Sequence, residues 1–135
     1  MRVVLVAPYL GATMRECLSA FAALADVQLG IISQQPEAAI PEALTDRISG
    51  HYKIDNCLDA GQLEVATKVF IQEWGGVDRL IGYLEHLQTP LAEVRTALSI
   101  EGMKADVAAN FRDKNQMKAT LRQAGLPVAR QRKIN

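Results

Sequence analysis

Seven basic side chains, Arg112, Lys114, Lys118, Arg122, Arg130, Arg132 and Lys133, crowd residues 112–135 against a single acid, Asp113. Clustered cations of this kind suit phosphate oxygens, and a lysine, a compact charge on a flexible stem, suits phosphate neutralisation in particular. Lys118 and Arg122 stand four apart, so the same charges also fit one solvated helix face. Side chains that stack on bases are nearly missing from this stretch, with Phe111 alone lying close, which argues against nucleic acid as the partner. A second candidate is Gly11, where a predicted helix starts after an apolar run and free backbone N–H groups can receive an anion. Glu85, with His86 beside it, follows another apolar block. A carboxylate there can orient a hydroxyl or amine of a ligand, or serve only as a solvated loop residue or a capping partner.

Other chemistries lack their residues. His51 and His86 are 35 apart, without the spacing of a metal pair, so no metal site is expected. Cys17 and Cys57 form neither a Cys-x-x-Cys motif nor a disulfide framework, and reduced thiols in a cytoplasm are the expectation. No serine lies in a nucleophile-elbow sequence, and no catalytic nucleophile is assigned. The dinucleotide fingerprint Gly-x-Gly-x-x-Gly is absent, Gly11 being the single glycine before Val27. A signalling receiver domain would need an acidic pair after the first strand, where Ala7 and Pro8 stand.

These candidates need a scaffold, and 135 residues with 49% hydrophobic and 22% charged side chains are enough for one buried core and too apolar for a disordered chain. The longest apolar run, residues 3–10, is far below the roughly 20 residues of a membrane-spanning helix and holds Pro8, so neither a membrane span nor a secretory signal is expected. The chain is neutral overall but uneven. Residues 1–111 carry 8 basic and 14 acidic groups, a formal charge of −6, and residues 112–135 carry 7 basic groups against one acid, a formal charge of +6.

Residues 2–7 form a continuous aliphatic run, the pattern of a strand buried on both faces of a parallel sheet. Met14, Cys17, Leu18, Phe21 and Leu24 recur at helical spacing over 12–24. Residues 27–32 read as a second strand, 35–41 as a polar connection, 42–48 as a short helix, and 50–54 as a third strand. Residues 60–74 read as a long helix, with Gly75 and Gly76 supplying a left-handed end. A fourth strand is expected within 77–84, then a helix with Thr89 as cap and Pro90 in its first turn. Asp113 caps a last helix whose stripe is Met117, Leu121 and Ala124, stopped by Gly125 and Pro127, and residues 128–134 resemble the start of a further strand. Strands alternating with helices predict an α/β fold, a parallel sheet in the order 3-2-1-4 with helices on both faces. Such sheets bind ligands at the carboxyl ends of the strands where the order reverses, which puts residues 8–12 near Glu85 and His86.

The segment 112–128, Arg-Asp-Lys-Asn-Gln-Met-Lys-Ala-Thr-Leu-Arg-Gln-Ala-Gly-Leu-Pro-Val, resembles the opening of the ATP-grasp domain in the ATP-grasp ligase superfamily. In biotin carboxylases, carbamoyl-phosphate synthetase large subunits and related ligases an Asp-Lys pair starts a helix that ends in Ala-Gly-aliphatic-Pro. The stretch from Glu85 through Pro90, Leu91 and Glu93 to Gly102 is similar to the run that precedes that helix. Residues 1–84 match by order of elements. The resemblance implies a Rossmann-like pre-ATP-grasp domain over residues 1–102, and a linker with the opening helix of a truncated ATP-grasp domain over 103–135.

The implied activity is ATP-dependent activation of a carboxylate, or bicarbonate, as an acyl phosphate that an amine or other nucleophile then attacks. Lys114 is the residue this resemblance sets near the ATP phosphates, with Lys118 one turn later as the poorer candidate. The chain stops at Asn135, so the later subdomains that clamp ATP and carry the acidic Mg2+ ligands are expected elsewhere. This chain alone is expected to be inactive and to hold neither ATP nor Mg2+ tightly. A small-molecule carboxylate and those missing subdomains are the partners implied, and a homo-oligomer is compatible with the sequence. The alternative is a free-standing α/β module that binds a small ligand or nucleotide without catalysis.

Overall fold

The computed structural model describes residues 1–129. The expected strand at 128–134, and the basic residues Arg130, Arg132 and Lys133, lie wholly or mainly outside them. In chain order the elements are β1 (Arg2–Val6), α1 (Ala12–Ala22), β2 (Gln28–Ser33), α2 (Glu42–Thr45), β3 (Gly50–Lys53), α3 (Ala60–Trp74), β4 (Arg79–Ile81), α4 (Gln88–Ala97), α5 (Ala105–Arg112) and α6 (Lys114–Gln123). Short 3-10 turns at Glu37–Ala39 and Glu85–Leu87 interrupt two of the connections.

The four strands form one parallel sheet in the order β3-β2-β1-β4, the topology expected from the sequence. β1 is central because every residue of 3–6 is buried and both its edges are paired, Val4 opposite Gly30 on one side and Leu80 on the other. Alternation along the strand then divides the core in two. Val3, Leu5, Leu29 and Ile31 meet Met14 and Leu18 of α1 on one face. Val4, Val6, Ile32 and Leu80 meet Leu63, Ala66 and Phe70 of α3 and Leu91 and Val94 of α4 on the other. Gly30 lets α3 come close, since a Cβ there would stand 2.6 Å from the Trp74 ring and 2.7 Å from that of Phe70.

The caps follow the sequence signals at several ends. Asp59 accepts hydrogen bonds from the amides of Gly61 and Gln62 and starts α3, and Gly75, at φ +73°, ends it. Other boundaries differ. α1 stops at Ala22, not Leu24, because the chain turns back through a Leu24 N–H bond to the Phe21 carbonyl and leaves Leu24 half exposed. β4 is three residues long, and Tyr83 and Leu84 leave the sheet. Thr89 is not a cap: the turn at Glu85–Leu87 runs straight into α4, so Thr89 and Pro90 both sit in its first turn, where Pro90's missing N–H costs nothing. The short helix expected over 42–48 spans only Glu42–Thr45.

Residues 105–112, within the expected linker, form a helix. A buried arginine ties its approach to the sheet: Arg95 donates from Nε to the Leu80 carbonyl at 2.9 Å and from Nη1 to the Met103 carbonyl at 3.0 Å. No helix among the described residues is long and apolar enough to cross a membrane.

Candidate functional site

The loop after β1 is held from beneath by the loop after β2. The Leu10 amide donates to Gln35 Oε1 at 2.6 Å, the Gln34 amide to the Pro8 carbonyl at 3.1 Å, and Gln34 Nε2 to the Tyr9 hydroxyl at 3.1 Å. Gly11 then opens α1 with extended backbone, and its missing side chain leaves open space above the helix start. No side chain caps α1 and no acid lies in its first turn, so the N–H groups of Ala12, Thr13 and Met14 keep the positive end of the helix uncovered.

Across from this helix end the chain leaves β4 through Gly82, which packs tightly against Leu87, Leu91 and the Val6 carbonyl and sends Tyr83 outward. Tyr9, Gly11, Ala12, Thr13, Met14, Tyr83 and Leu84 together line a cleft of about 270 Å³ at the carboxyl ends of β1 and β4. This is where strand order reverses. Tyr9 and Tyr83 are 64% and 47% exposed, two rings free to cover an apolar or planar part of a ligand whose anionic end meets the helix.

Of the residues singled out in the sequence, Gly11 lies in this cleft. Glu85 and His86 are exposed in the 3-10 turn just past it and do not line it. Glu85 instead pairs with Arg112, Oε1 to Nη1 at 2.8 Å. Lys114 is the exposed first residue of α6, behind Asp113, whose Oδ1 accepts from the amides of Asn115 at 2.7 Å and Gln116 at 3.3 Å. Lys118 is half-buried rather than solvated, and Arg122 is exposed. Tyr9, Tyr83 and Leu84 were missed; the apolar character of 83–84 reads as strand because a cleft wall and a sheet face ask for similar residues.

A larger cleft, about 490 Å³, lies beyond β3 against the start of α3, lined among others by Tyr52, Lys53, Asp55, Asp59 and Gln62. The backbone amides around it are already engaged, leaving Lys53 as the cationic side chain of its lining. Asp59 takes the amides of Gly61 and Gln62, and Gln62 Oε1 takes those of Asp55 and Asn56. Asp55 and Asp59 line the larger cleft, whereas the smaller one holds no acid and has an uncovered helix end, which makes it the better anion receiver.

Three reactive-looking side chains are structural. Ser33 is fully buried, 2.8 Å from His51 Nε2, and its hydroxyl donates to the Gln35 carbonyl at 2.7 Å, tying the end of β2 to the loop that follows it. Burial lowers the His51 pKa and pushes the Cys57 thiol up to about 11. Among the described residues no three His, Cys, Asp or Glu side chains are grouped to hold a metal ion.

No family model matches the sequence, and no curated protein matches it. Solved structures do. L-amino acid ligase from Bacillus licheniformis superposes with a TM-score of 0.70 at 14% identity, over 93% of this chain and 30% of that one. Phosphoribosylglycinamide synthetase from Anaerococcus prevotii superposes with a TM-score of 0.63 at 12% identity, over 92% of this chain and 29% of that one. Both are ATP-grasp enzymes. The chain has the fold of their N-terminal part. It spans just under a third of either ATP-grasp chain, and the likeness is one of fold.

Proposed function

We propose that this chain is the N-terminal domain of an ATP-dependent ligase that activates a carboxylate, or bicarbonate, as an acyl phosphate. The observation that carries the reading is the superposition on the N-terminal part of L-amino acid ligase over 93% of the chain, together with the Asp113-capped helix near its end. In such a reaction a carboxylate oxygen takes the γ-phosphoryl group of ATP and ADP leaves. A nucleophile then forms its bond to the acyl carbon, and phosphate departs.

Within this reading the two basic features divide the work. The uncovered start of α1, beside Tyr9 and Tyr83, receives an anionic group of a substrate. Lys114, exposed and free of any carboxylate partner in the ion pairs of the described residues, supplies one positive charge to the ATP phosphates. Among the described residues no three His, Cys, Asp or Glu side chains are grouped for a metal ion, and this reading gives the Mg2+ that accompanies ATP, with the rest of the nucleotide site, to the later subdomains.

Lys114→Met in the complete polypeptide is the test. A charge-assisted contact contributes on the order of 1.5 to 3 kcal/mol, so the variant should use ATP roughly tenfold to a hundredfold less well with its melting temperature unchanged. Lys118→Met, one turn on, is the control and should leave the Michaelis constant for ATP near that of the parent. Equal, small effects of both variants would remove Lys114 from the site, and loss of the fold in Lys114→Met would make it structural.

A further inference from the structure

We infer that the ion pair between Glu85 and Arg112 is a strut that sets where Lys114 stands relative to the switch-point cleft, an inference that rests on the reading of Lys114 given above. Glu85 follows Leu84, which lines the cleft, and Arg112 is the last residue of α5, two before Lys114. Their 2.8 Å contact joins segments 27 residues apart.

The geometry gives this pair leverage. α6 buries no residue and packs on α5, so its direction is inherited from α5. α5 is anchored well at its start, where the Ala105 amide donates to Thr96 Oγ1 and Lys104 Nζ donates to the carbonyls of Arg95 and Ile100. Ala108 is buried midway. α5 packs on α4 along its earlier turns, but its last two residues, Phe111 and Arg112, are exposed, so the end that leads into α6 is the part held least. At that end the Arg112–Glu85 pair reaches back to the loop after β4. Between Arg112 and the first turn of α6 stands only Asp113, in extended conformation and engaged as the cap.

Glu85 and Arg112 side chains are 82% and 46% exposed, and an ion pair so solvated adds little to stability. Its effect is on direction. Arg112 and Glu85 are thus positioning residues for Lys114.

The test compares Glu85→Gln, Arg112→Gln, the exchanged pair Glu85→Arg with Arg112→Glu, and Lys114→Met in the complete polypeptide, reading the dissociation constant for magnesium-ATP and the melting temperature. Each single variant should bind roughly two- to fivefold more weakly, the scale of an exposed pair, with melting unchanged, and the exchanged pair should recover the affinity. Single variants that bind like the parent while Lys114→Met is weakened would overturn the strut and leave the reading of Lys114 standing. An unweakened Lys114→Met would overturn both. A fall in melting temperature that the exchange does not restore would make the pair structural and overturn the inference.

Discussion

Asp78 accepts three hydrogen bonds from Arg2, from the amide at 2.6 Å and from Nη2 and Nε at 2.9 and 3.3 Å, closing the amino-terminal edge of the sheet. The Arg2 guanidinium and amide hold its pKa at about 2, below the ordinary carboxylate value of about 4. A depressed pKa in the folded state means that the stabilisation is complete above the unfolded value and is lost as pH falls toward the folded one. Asp78→Asn should therefore melt below the parent at pH 7, and the gap should close as pH is lowered from about 4 to about 2; thermal melts across that range check it. A gap that persists at the acid end would mean that the loss is one of packing. Arg2 and Asp78 are 76 positions apart, and no local pattern pairs them. Arg95 is illegible in the sequence for a related reason: a lone arginine in an amphipathic helix reads as outward-facing, whereas burial here lowers its pKa and its guanidinium serves two carbonyls. Gly11 and the Asp113 cap were legible because each depends on a few neighbouring residues.

At the scale of elements, Gly30 marks where strand and helix approach most closely. An alanine there would press its methyl into the Phe70 and Trp74 rings, themselves in contact at 4.7 Å between centroids. Rings wedged together have little room to yield, so Gly30→Ala should cost about 1–3 kcal/mol by overpacking, read as a lower denaturation midpoint with an unchanged denaturant slope. An unchanged midpoint would show that α3 can move away. β1 is readable from its continuous apolar run, and α3 and α6 from an apolar period that agrees with their caps. α5 is not, since its stripe is short, Val107 and Phe111 stay exposed, and Ala108 alone is buried. The extent of β4 was overread because Tyr83 and Leu84 continue the apolar run after pairing with β1 has ended.

For the whole molecule, alternating apolar runs and right-handed crossovers leave few strand orders, which is why 3-2-1-4 could be read before any contact was known. The site was legible only in outline: the switch point follows from topology, but its tyrosine walls and the Glu85–Arg112 pair follow from tertiary placement. Under the proposed function this chain makes one charged contact to ATP, and the enclosure of the nucleotide and its metal fall to the later subdomains. Enclosure and preorganised charge supply most of the binding in a phosphoryl-transfer site, so a single exposed lysine cannot hold the nucleotide. Calorimetric titration of magnesium-ATP into the 135-residue chain and into the complete polypeptide tests this directly. A micromolar dissociation constant for the complete polypeptide and no measurable binding to the chain alone are expected, whereas micromolar binding to the chain alone, or none to the complete polypeptide, would refute the proposed division of the site.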